Sequence, residues 1–136
     1  LEGARIDGSL SFPARIKDEF QWRTGFPSVS IDDHPVQVIQ DAARGDAGAK
    51  LYFDSQSGLL VRQVRYVNTA VGVIPTRIDY SDYREVAGVK MPFRWTVTWT
   101  DNKTFTELSE VQPNVSIDAA KFARPTPPPP PNPAAR

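Results

Sequence analysis

Hydrophobic and polar positions alternate most regularly between residues 51 and 100, and the clearest elements fall in or beside that stretch. In its last segment Phe93, Trp95, Val97 and Trp99 share one parity, and Arg94, Thr96, Thr98 and Thr100 share the other. This is the period-two pattern of a strand with one face buried and one wet, and an antiparallel sheet is its natural host. Lys50 to Asp54 and Leu59 to Thr69 read as two strands joined by residues 55–58, with Gly58 where a positive φ is wanted. That is the strongest hairpin signal in the chain. On the second strand Leu60, Val64 and Tyr66 share a parity that Val61 and Val67 interrupt, so a bulge or a partly covered outer face is expected there.

Residues 70–75 read as the next connection. From Thr76 onward Ile78, Tyr80 and Val86 are the expected core positions of a strand, with a twist or bulge near 81–83. Residues 87–90 form a turn, and Pro92 holds Met91 extended. Asp101 to Lys103 is a compact polar turn. Thr104 to Gln112 follows, where Phe105, Leu108 and Val111 stand three apart, as in a bulged edge strand or a short helix; threonine content favours strand. Residues 118–122 are a short helical turn with Asp118 as cap and Phe122 against the sheet.

Ahead of residue 50 the pattern is more broken. Two strand pieces, Ala4 to Ser11 and Ile16 to Trp22, flank Phe12 and Pro13, and a turn is expected at 32–35. A strand follows over Val36 to Ala42, and Arg44 to Ala49, with no large apolar group, reads as a mobile loop. Seven of the 13 prolines lie in residues 125–136, a tail that prefers polyproline II and can act as a linker or dock into an aromatic-lined groove.

These elements sum to an all-β fold with one short helical turn: six to eight antiparallel strands in a curved meander over residues 1–124, then the proline-rich tail. No crossover helix is available between 50 and 112 for a parallel sheet. A single sheet with Trp95 and Trp99 on one face needs a lid, a second sheet, barrel closure or a partner.

Composition narrows the function classes. The 136 residues amount to one domain. The 16 basic and 16 acidic side chains cancel, so no global charge favours nucleic acid or an anionic membrane. Cysteine is absent, which removes disulfides, thiol catalysis and thiolate-held metals. No apolar run reaches the roughly 18 residues of a membrane helix, and no signal peptide is recognisable. The start at Leu1 reads as a processed or trimmed end, that of a domain cut from something longer.

Chemistry-bearing clusters are sparse. The one histidine, His34, sits beside Asp32 and Asp33 in a predicted turn, where adjacent ligands cannot surround a metal by themselves. A hydrolytic triad needs a base oriented by a third group, and the one histidine stands in a turn. Asp79, Asp82 and Glu85, or Glu107 and Glu110, are carboxylate pairs on paper, but Arg77 and Arg84 among them point to an ion-paired surface. The same acidic groups neutralise the basic and aromatic positions that a nucleic-acid-binding sheet would use. What remains is an apolar face that holds a lipid or other hydrophobic ligand, or an ordinary core built of the same residues. Its candidates are Leu60, Val64, Ile78, Tyr80, Phe93, Trp95, Val97, Trp99 and Phe105.

Leu51 to Arg62, with Phe53-Asp54 before Gly58-Leu59-Leu60, and Asp82-Tyr83-Arg84 leading to Gly88 and Pro92, resemble the second half of the periplasmic lipoprotein-carrier family. Asn114, Asp118 and Phe122 suit its closing segment, so the resemblance spans residues 50–125. It implies a curved antiparallel half-barrel whose concave face carries lipoprotein acyl chains, and a periplasmic or cell-envelope location. Related domains occur in larger cell-envelope proteins, including uncharacterised acidobacterial ones. The usual lid helices and first helix have no counterpart here, so the resemblance fits a C-terminal domain best. The expectation is a non-enzymatic domain that binds a lipid or acyl chain without a cofactor. The other reading is a structural or interaction module that self-associates through its apolar face or a strand edge.

Overall fold

The computed structural model describes residues 21–41 and 48–123. The expected strand over Ala4 to Ser11, most of that over Ile16 to Trp22, most of the loop from Arg44 and the proline tail lie outside the described residues. One antiparallel sheet takes in all eight described strands: β1 (Trp22–Arg23), β2 (Val29–Ile31), β3 (His34–Asp41), β4 (Lys50–Asp54), β5 (Leu60–Thr69), β6 (Gly72–Val86), β7 (Val89–Trp99) and β8 (Asn102–Glu107). The sheet is open and curved. Its order is β1-β3-β4-β5-β6-β7-β8, with β2 also on β3, so β3 to β8 form the expected meander. The only helix among the described residues is a 3-10 turn, Ala119–Phe122.

Tight turns set the register. Asp32 (φ 48°) and Asp33 (φ 64°) turn β2 into β3, and Ala87 (φ 49°) and Gly88 (φ 81°) turn β6 into β7. Two residues at positive φ are the mark of the type I′ turn, whose twist matches that of paired strands. Gly58 (φ 70°) closes the turn after β4, where Asp54 Oδ1 accepts from Ser57 Oγ at 2.6 Å and from Ser57 N at 2.7 Å. Gly48 answers a different demand: a Cβ there would lie 2.1 Å from the Asp41 carbonyl oxygen, so only glycine fits.

The connection expected over 70–75 is only Ala70 and Val71, and β6 already pairs with β5 from Gly72 through Pro75. Pro75 is tolerated because β7 joins β6 only at Thr76, leaving an open side where a missing N–H costs no ladder bond. β2 has no counterpart in the hydropathy pattern, since three residues between Pro27 and Pro35 carry too little of it. β8 ends at Glu107, not Gln112, so Leu108 and Val111 lie beyond it. Asp118 does cap the short helix, its Oδ1 accepting from Ala120 N at 2.9 Å. Phe122, expected against the sheet, is 78% exposed: a single 3-10 turn does not reach back to it.

Candidate functional site

Residues opposite one another in an antiparallel ladder share a face, so the register assigns each side chain to a side of the sheet. Ile78 pairs with Val97, Tyr80 with Trp95 and Thr76 with Trp99. Gln63 pairs with both Leu51 and Ile78. One face thus carries Leu51, Gln63, Ile78, Tyr80, Phe93, Trp95, Val97 and Trp99 across four strands.

Leu60 joins this face through a bulge. Tyr52 pairs with Arg62 but Phe53 pairs with Leu60, so Val61 is the extra residue. The bulge expected on this strand is therefore present, and it turns Leu60 to the side opposite Val64 and Tyr66, correcting the shared face read from parity. Val64 pairs with Arg77, and Phe105 with Thr96, so both lie on the other side. Of the nine candidate residues, seven come together and these two do not. Leu51 and Phe53 belong to the tryptophan face by their alternation in β4. Gln63 gave no signal, being polar at a position that proves to be central.

The tryptophan face is sealed at its centre and half-open at one side. Leu51 and Gln63 are 0% exposed, and Ile78 and Phe93 are buried. Tyr80 Oη donates to Gln63 Oε1 at 3.1 Å, giving a buried amide a partner in apolar surroundings. Trp95, Val97 and Trp99 remain half-buried, running along β7 towards its end. At the other end of β7 the Arg84 guanidinium lies 4.4 Å from the Phe93 ring centroid and bonds Asp82 Oδ2 through Nη2 at 2.6 Å. That bond holds the Asp82 carboxyl below its ordinary range and raises the Arg84 guanidinium.

The opposite face buries Val36 and Val38 on β3 and is charged across β5 to β8. Asp79 is held between Arg62 Nε (2.5 Å) and Arg77 Nε (2.9 Å), and Arg94 Nη2 meets Glu107 Oε1 at 3.0 Å. A groove of about 610 Å³ runs here, lined by His34, Asp54, Arg62, Arg77, Asp79 and Thr96 among others. Its two strand carboxylates are both engaged: Asp79 by the two guanidiniums, Asp54 by the turn after β4. The Ser57 hydroxyl and amide keep the Asp54 carboxyl below its usual range. The strand carboxylates here belong to an ion-paired and turn-bonded surface. Among the described residues no three His, Asp or Glu side chains converge as metal ligands, and no helix is long and apolar enough to cross a membrane.

Comparison with family models, curated proteins and solved structures returned no match.

Proposed function

We propose that this chain is a non-catalytic cell-envelope β domain that binds an apolar ligand of acyl-chain type against its tryptophan face. The observation that carries this reading is the half-buried strip of Trp95, Val97 and Trp99 beside a centre where Leu51 and Gln63 are sealed. An acyl chain laid along that strip would cover apolar surface still in contact with water, at about 25 cal/mol per Å². The threonines that pair with β7 on this face, Thr104 and Thr106, bring methyl groups and no charge. The motif resemblance over residues 50–125 points the same way, to lipoprotein acyl chains as the ligand and the periplasm as the setting.

A fluorescent fatty acid titrated into the chain tests this. Uptake is expected at one site, quenching tryptophan emission, with Trp95→Ala combined with Trp99→Ala weakening it by at least about tenfold, since each buried aromatic contributes roughly 1.5–3 kcal/mol. A folded chain that takes up no fatty acid, or one that binds it equally well without both tryptophans, contradicts the proposal. The strip then serves as the contact face of an interaction module.

A further inference from the structure

β8 ends the sheet, and among the described residues no strand pairs with its outer side. Four of its five positions from Lys103 to Glu107 are exposed, Phe105 at 57%. An exposed strand edge presents unpaired N–H and C=O groups, and which residues present them follows from the ladder. Leu108 N donates to Phe93 O at 2.8 Å, continuing the register in which Thr106 pairs with Trp95 and Thr104 with Val97. Even-numbered residues therefore turn their main-chain groups towards β7, and Lys103, Phe105 and Glu107 turn theirs outward.

Those three residues belong to a self-complementary run, Lys103-Thr104-Phe105-Thr106-Glu107. Read antiparallel against itself about Phe105, it sets Lys103 opposite Glu107, Phe105 opposite Phe105, and Thr104 opposite Thr106. Every outward-facing main-chain position then meets another outward-facing one, so the three pairs 103–107, 105–105 and 107–103 exchange six main-chain hydrogen bonds. The side chains agree with the backbone: two opposite-charge pairs flank an aromatic pair on one face, and β-branched threonines pair on the other. Charges on an edge strand ordinarily keep sheets apart. Here the two charges have opposite sign at symmetric positions, so the edge repels most strands yet complements its own copy.

We infer that two copies of this chain join through β8 about a two-fold axis at Phe105, extending one sheet into the next. Lys103, Phe105 and Glu107 lie on the face opposite Trp95 and Trp99, so this pairing does not rest on the apolar-ligand reading.

Sedimentation of the full chain and of three variants tests it. The unaltered chain is expected to show a concentration-dependent dimer. Lys103→Glu and Glu107→Lys each set like charges opposite one another at both symmetric sites and should weaken the dimer by about tenfold or more. An equimolar mixture of these two variants restores complementarity and should dimerise again as a heterodimer. Phe105→Cys introduces the chain's single cysteine, and opposed Cα atoms about 5.5 Å apart lie within disulfide reach. It should crosslink on oxidation, whereas Thr104→Cys should not, because position 104 faces 106. A monomer at every concentration overturns the inference, as does a dimer that neither charge change weakens and Phe105→Cys does not lock.

Discussion

Two side chains in the sheet hold polar atoms in unequal circumstances, and each has a measurable consequence. Thr98 Oγ1 is buried without a hydrogen-bond partner among the described residues. Thr98→Val keeps the β-branched shape and removes the orphaned hydroxyl, so it should stabilise the fold by about 1 kcal/mol, read as a higher denaturant midpoint at unchanged slope. Tyr83 is the opposite case: its hydroxyl donates to Leu60 O at 2.5 Å, and burial pushes its pKa up from 10.0 to about 12. Between those values the unfolded chain has released a proton that the folded chain retains. The contribution is therefore fully present below pH 10.0 and is lost as pH rises through about 12. Absorbance titration should show one tyrosine ionising late, and Tyr83→Phe should remove that step and flatten the alkaline loss of stability.

At the scale of elements, the turns are where local sequence and local geometry disagree most. Ala87 adopts φ 49° with a Cβ, a conformation that disfavours L-residues by roughly 1–2 kcal/mol. Ala87→Asn creates the Asn-Gly pair that type I′ turns favour. It should raise stability by about 0.5–1 kcal/mol, measured by chemical denaturation. The strands themselves were legible wherever a run of alternation stood between turn residues, as from Lys50 to Thr69 and from Phe93 to Trp99. What escaped were features decided across the sheet. The pattern on β5 allows a bulge or a partly covered outer face, and the placement of the bulge at Val61 depends on which residue of β4 lies opposite. β6 runs through Pro75 only because its neighbour on one side stops short. β8 ends at Glu107, with Leu108 N still donating to Phe93 O, although the threefold spacing from Phe105 continues in the sequence.

For the whole molecule, the strands add to one open curved sheet with a tryptophan face and an ion-paired face. Six of the nine candidate ligand-facing residues could be grouped by parity on β6 and β7 alone. Leu60 required the bulge, and Val64 and Phe105 fell to the charged side because parity within a strand does not say how one strand is phased against the next. Gln63, at the sealed centre, is the clearest case: no hydropathy pattern nominates a glutamine for a fully enclosed position in a sheet, where its amide oxygen accepts from Tyr80. What lies against Trp95, Val97 and Trp99 decides between a ligand-binding face and a contact face. Native mass spectrometry of the gently purified chain reads bound ligand and stoichiometry together. One apolar ligand per chain, lost in the Trp95→Ala and Trp99→Ala double variant, is the predicted result; a ligand-free chain that also fails to take up added fatty acid contradicts it.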